Sequence, residues 1–178
     1  SLAECNKGQN VHRNLVECVQ AMQRHGLQVM GGFIVGFDND TESIFDRQIE
    51  FIQKSGVVTA MVGMLQAIPG TPLFARLHAE GRIAHEMTGD NADGTTNIIP
   101  AMGLDKLKTG YARLMAELYS PENFYARIRT CLRLYHPPKA PVRLHAEELY
   151  AFLRSIWKLG TLSAERNHYW RLFFWTLF

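Results

Sequence analysis

Residues 26–74 read GLQVMGGFIVGFDNDTESIFDRQIEFIQKSGVVTAMVGMLQAIPGTPLF, and this stretch decides the fold. The apolar run from Leu27 to Val35 carries Val, Ile and Phe and is closed by Gly36. It is too short for a buried helix, and Gly31-Gly32 would weaken one, so it reads as a strand. Next, Asp40 or Thr41 is placed to cap a helix, with Glu42 early in its first turn where it complements the dipole. Ile44, Phe45, Ile49 and Ile52 follow near helical spacing until Gly56 stops the helix. Val57 to Leu65 is a second, nearly continuous apolar run. Two strands without polar alternation, joined by a helix, predict a parallel pair buried on both faces, a βαβ unit.

Upstream, Val11, Leu15, Val19 and Met22 make one helical stripe, capped at Asn10 or Asn14 and ended by Gly26. Two buried strands do not make a stable parallel sheet, so more strands are expected before this point. With the opening Ser1 and a close inside a helical pattern, the chain reads as a fragment. Downstream, Ile68-Pro69-Gly70-Thr71-Pro72 forces a turn. Thr71 caps a helix with Pro72 at its first position, Leu73, Phe74 and Leu77 face inward, and Gly81 ends it. Gly89–Asn97, GDNADGTTN, is a polar loop with strong turn chemistry, and Ile98-Ile99-Pro100 returns to the core.

Beyond Met102 the pattern is helical. Leu104, Leu107, Tyr111, Leu114, Met115 and Leu118 form a stripe. Ser120-Pro121-Glu122 starts another helix with Phe124, Ile128, Cys131 or Leu132, and Tyr135 on its face. The run His136–Pro141 breaks it as a stiff linker. A third helix carries Leu149, Phe152, Leu153, Ile156 and Leu159 and ends near Gly160. Ser163 caps a last one, running through Trp170 to Phe178. The organisation is therefore an α/β part over 1–101 and a helical part over 102–178.

Over 178 residues the chain is 47% hydrophobic and 20% charged, as expected of a soluble globular protein. A net charge of +2 without a run of like charges gives no reason to expect nucleic acid. No apolar run reaches the ~18 residues of a membrane span. The three cysteines, Cys5, Cys18 and Cys131, are too dispersed for a metal knuckle, and their odd number suits a reducing cytoplasm. Cys18 and Cys131 read as small hydrophobes on helix faces.

In parallel α/β folds ligands gather at the carboxyl ends of the strands, here Val35–Asp38 and Leu65–Ile68. Gly36 and Gly70 allow a close backbone approach to a ligand, or simply make tight turns. Gly31, Gly32 and Gly36 do not match the Rossmann pattern. Asp90, Asn91, Asp93 and Gly94 lack EF-hand spacing, leaving a solvated loop or a substrate cover. None of the seven histidines pairs at metal-ligand spacing, and His136 and His145 read as surface residues. No serine or cysteine sits on a nucleophile elbow.

The strings GGFIVGFDND, SIFDRQIEFIQKSG and LQAIPGTPLF, in this order, resemble the later half of a radical S-adenosylmethionine (SAM) barrel. Gly32, Ile34 and Gly36 match a GxIxG motif on the fifth strand; Pro69, Gly70 and Thr71 match the PGT turn after the sixth. SLAECNKGQN is similar to the segment after the fourth strand. With GDNADGTTN and YSPENFYARI, the whole chain resembles the C-terminal part of cobalamin-binding radical SAM proteins that end in a helical domain of unknown function. The resemblance implies the last βα units of a partial (β/α) barrel followed by an α-helical domain. It implies a SAM site lined by Gly32, Ile34 and Gly36, with Phe37 beside it. Gln66 and Ala67 would approach the adenine, and Pro69 and Gly70 would shape the turn.

The parent would cleave SAM reductively at a [4Fe–4S] cluster to give a 5′-deoxyadenosyl radical, and transfer methyl through cobalamin where that domain is present. Two departures stand out. Asn39 occupies a position that is often acidic in the motif. The CxxxCxxC loop that binds the cluster is not in this sequence, so cluster and cobalamin would be held by upstream regions, and this chain alone is expected to be inactive. Its partners would be the upstream part of the barrel and a small-molecule substrate. The rival expectation is a non-catalytic module whose tail packs on a partner through Tyr169, Trp170, Phe173 and Phe174.

Overall fold

Glycines at several boundaries shape the chain in the computed structural model, which describes residues 13–90, 93–137 and 145–177. Helix α1 (Leu15–Arg24) begins at Asn14, whose side chain accepts from the Glu17 amide. Strand β1 (Gly31–Val35) follows, and helix α2 (Ser43–Ser55) ends at Gly56 in the left-handed conformation. Strand β2 (Ala60–Met64) runs parallel to β1, with Gly31 opposite Ala60 and Val35 opposite Met64. The expected βαβ unit is present, with strands shorter than the apolar runs. Leu27 and Met30 lie outside β1 and are exposed.

The expectation of burial on both faces is corrected. Val35, Ala60, Val62 and Met64 are buried against α2 and against α4 (Leu104–Leu118). On the opposite face Ile34 is 48% and Met61 64% exposed, and Gly32 is open. Helices cover one side only, so the residues alternate in burial although the sequence between them is apolar.

The expected α2 cap is also corrected. Asp40 turns back toward β1, and Glu42 sits at the N-cap without a side-chain capping bond. Thr71 does cap helix α3 (Pro72–Ala79) by accepting from the Phe74 amide, and Ser120 caps α5 (Pro121–Leu134) by accepting from the Asn123 amide. Pro72 and Pro121 hold the first helical positions, where a missing N–H costs nothing.

The first helix beyond residue 102 belongs to the same core as the sheet. Leu107, Leu114 and Leu118 of α4 are fully buried with Phe45, Ile52 and Val62. Tyr111 and Tyr119 donate to the carbonyls of Val62 (3.0 Å) and Ala60 (2.6 Å), closing the outer edge of β2. A second cluster, Leu65, Ala67, Leu77 and Ile98, lies under α3.

Helix α6 (Ala146–Ser155) runs into a π-helical segment, Ile156–Leu162, and then into α7 (Arg166–Leu177). The helical pattern therefore passes the expected stop near Gly160. That glycine is buried beneath Trp170, whose Nε1 donates to its carbonyl (2.9 Å). Residues 138–141 of the expected linker lie outside the described residues. Cys18 and Cys131 are half-buried, and burial pushes the Cys131 thiol up. Among the described residues no helix is long and apolar enough to cross a membrane.

Candidate binding site on the open sheet face

Glycine and a single amide shape the open face of the sheet. A cleft of about 440 Å³ lies there, lined by Gly32, Ile34, Met61, Gly63, Gln66, Ile68 and Asp90 among others. A Cβ on Gly32 would meet nothing within 4 Å, so the missing side chain leaves room facing the cleft. Gln66 is only 8% exposed; its Nε2 donates to the Asp90 carbonyl (3.0 Å), and its Oε1 is buried with no hydrogen-bond partner. Apolar walls with one underused polar group suit a flat, largely apolar ligand bearing an N–H donor.

The other residues named from the sequence lie around this cleft without lining it. Gly36 has φ +104° and packs against Leu107 of α4. Its amide and that of Phe37 both donate to Asp40 Oδ2 at 3.0 Å, which fixes the turn leaving β1. Phe37 packs in the cluster under α3. Ala67 is fully buried, and Gly70 makes the left-handed turn before α3. Pro69 borders a separate hollow with Phe74, His85 and Asn97.

Sequence reasoning missed Thr96 and Asn97. Thr96 Oγ1 donates to the Leu65 carbonyl (2.5 Å), and the Asn97 amide both accepts from Ala67 N (2.8 Å) and donates to Ala67 O (2.9 Å). They give the chain leaving β2 the hydrogen bonds another strand would supply. Their place at the end of a polar loop, just before Ile98-Ile99, was the available signal. In that loop Asp93 accepts from Thr88 and Thr95, while residues 91–92 lie outside the described residues.

Beyond the carboxyl end of β1, Asp38 receives Arg82 at 2.6 Å and Arg76 at 2.7 Å, and both guanidiniums also reach Glu80. The Arg82 hydrogen bond, partly opposed by burial, holds the Asp38 carboxyl below its usual range. A depressed carboxylate stabilises the fold above its unfolded pKa, and that contribution is lost as pH falls through the lower folded value. Stability should therefore decline in acid below about pH 4, the ordinary aspartate value. An Asp38→Asn variant should show a shallower loss in thermal melts taken down through that range. An identical acid dependence in both proteins would remove Asp38 from the account.

No group of three or more His, Cys, Asp or Glu able to hold a metal occurs among the described residues. Cys18 on α1 and Cys131 on α5 do not fit a cluster.

Residues 71–178 match the model of a family described as domain of unknown function (DUF4070). An uncharacterized methyltransferase of Synechocystis is 32% identical over 96% of the chain and 32% of its own length. The hopanoid C-2 methylase of Rhodopseudomonas palustris is 26% identical over 96% of the chain and 33% of its own. The bacteriochlorophyllide d C-12(1)-methyltransferase of Chlorobaculum tepidum is 28% identical over 72% of the chain and 28% of its own. The chain thus spans about a third of the length of these curated relatives. No solved structure matches.

Proposed function

The chain belongs to the DUF4070 family, the C-terminal region of cobalamin-binding-type radical SAM proteins, and we propose that its open sheet face is part of a SAM-binding wall in a methylase. The observation that carries this is the cleft over Gly32, where a side chain is missing, an apolar sheet face is exposed and the Gln66 oxygen lacks a donor. The adenine end of SAM fits that description, a flat purine with an exocyclic amine. When bound, SAM supplies the radical or methyl chemistry. This chain's residues would bind and orient it: Ile34 and Met61 offer apolar surface, Gly32 and Gly63 admit close approach, and Gln66 is held by Asp90 with its oxygen ready to accept from the amine. Gly36 and Phe37, fixed by Asp40, would hold the turn that leaves β1 next to the site.

The partial barrel is part of the same reading. Because α4 tyrosines close the outer edge of β2, strands from the upstream region would add beside β1. The chain would then contain the last strands, with α4 as their cover. The cluster and cobalamin would be bound upstream, since the described cysteines do not fit the former. Two free thiols suit the cytoplasm.

Gly32→Leu tests the site. On the native-length protein, SAM affinity measured calorimetrically should fall at least about tenfold, ~1.4 kcal/mol, with the melting temperature little changed. Binding of equal strength in this variant places the site elsewhere. Gly36→Val is a poorer probe, because φ +104° and the Leu107 contact at 3.1 Å would strain the fold itself.

A further inference from the structure

We infer that the hairpin made by α6, the π-helical segment and α7 docks on the surface of an anionic phospholipid bilayer. Helix α6 has no buried residue, yet it carries Leu149, Leu153 and, one turn on, Trp157, all more than half exposed. Leu162, Phe174 and Leu177 in the same hairpin are also more than half exposed.

This is not an unfilled interior. The hairpin's own inner contacts are complete: Trp170 packs edge-on to Phe173 at 5.4 Å, Phe173 stacks on Phe152, and the Ser155 and Tyr169 hydroxyls meet at 3.0 Å. Of the aromatic residues first noted as a possible contact surface, Tyr169, Trp170 and Phe173 are used inside the hairpin, while Phe174 stays more than half exposed.

The charge around that outer set gives the partner's chemistry. Arg154 and Lys158 lie one turn apart, Arg166 and Arg171 follow on α7, and the Arg133 guanidinium lies 5.5 Å from the Trp175 ring. None of these five cations joins an ion pair among the described residues, whereas every ion pair found lies within residues 38–113. Glu147 and Glu148 stand at the opposite end of α6, in its first turn. A wide leucine and tryptophan face bordered by unpaired arginine and lysine is the pattern of an element lying in the headgroup plane. Tryptophan settles at that interface, long cationic side chains reach phosphates, and anionic lipid adds attraction. A protein partner would present carboxylates to these cations and bury a core depleted in charge.

The test is vesicle flotation of the full chain. It should rise with equimolar phosphatidylglycerol–phosphatidylcholine vesicles, rise less with phosphatidylcholine alone, and be released by raised salt. Leu153→Glu with Trp157→Glu should lower the bound fraction about tenfold, with the circular dichroism spectrum retained. Arg154→Gln with Lys158→Gln, both exposed, should abolish the preference for anionic vesicles and leave folding intact. Absence of flotation, or flotation indifferent to both pairs, overturns the inference. So does self-association in sedimentation velocity that the Glu pair abolishes without any vesicle binding, which would identify a second copy as the occupant. Neither outcome bears on SAM binding at the sheet.

Discussion

Arg127→Ala is expected to lower the unfolding free energy by about 3–5 kcal/mol, enough to leave a marginal domain largely unfolded. Arg127 is 1% exposed on α5, and no carboxylate pairs with it. Its Nη1 donates to the Leu118 carbonyl (2.9 Å) and to Gln53 Oε1 (3.2 Å), and Nη2 donates to the Val58 carbonyl (3.4 Å). The guanidinium also lies over the rings of Tyr119 and Phe124, 5.5 and 5.4 Å from their centroids. Burial pulls its pKa down, but an arginine stays protonated at neutral pH, so the charge is held by carbonyl dipoles and ring faces. Alanine would leave a void and three acceptors without their donor. Arg127→Met fills most of the void and should recover part of the loss. Urea midpoints for both variants decide the matter, and an alanine variant within ~0.5 kcal/mol of the parent would show that water replaces the guanidinium without cost.

Gly110→Ala should destabilise by about 1–3 kcal/mol, even though alanine is the better helix former by ~1 kcal/mol. Gly110 lies within α4, directly against the ring edge of Phe45 on α2, and any Cβ there would overlap that ring. Phe45 is 2% exposed inside the main core, so its ring would have to give up core packing to make room. The close approach lets α4 cover the sheet's helical face and bring Tyr111 and Tyr119 to the edge of β2. In a Phe45→Leu background the same alanine should cost less, because the shorter side chain vacates the clash. Additive effects of the two changes would break the proposed contact.

The βαβ core was legible because its signals are local. Gly56 ends α2 and Thr71-Pro72 and Ser120-Pro121 open helices by backbone chemistry that neighbours cannot change. What was illegible depends on which layer lies opposite. Apolar runs on both strands suggested two covered faces, but Ile34 and Met61 face open space because helices pack on one side only. Asp40 looked like a helix cap, yet the amides of Gly36 and Phe37 compete for the same carboxylate and hold it. Nothing local in the sequence marks Gly110 or Arg127 as special, and only packing does so. Of the residues named for the site, Gly32, Ile34 and Gln66 face one cleft. Phe37 and Ala67 point into a packing cluster instead, because both lie beyond the strand ends, where the chain turns under α3.

The Arg127 linkage has a consequence for inheritance. Gln53, from the helix between the strands, receives Arg127 and in turn donates to the Asn123 carbonyl (3.2 Å), so α2 and α5 grip each other in both directions. A recombination event that carried residues 71–178 alone to a new gene would deliver α5 without Gln53 or the Val58 carbonyl, stranding a buried cation. The helical segment is therefore poor cargo for shuffling onto unrelated scaffolds. Its stable unit of transfer is the helical segment together with α2 and the residues between α2 and β2.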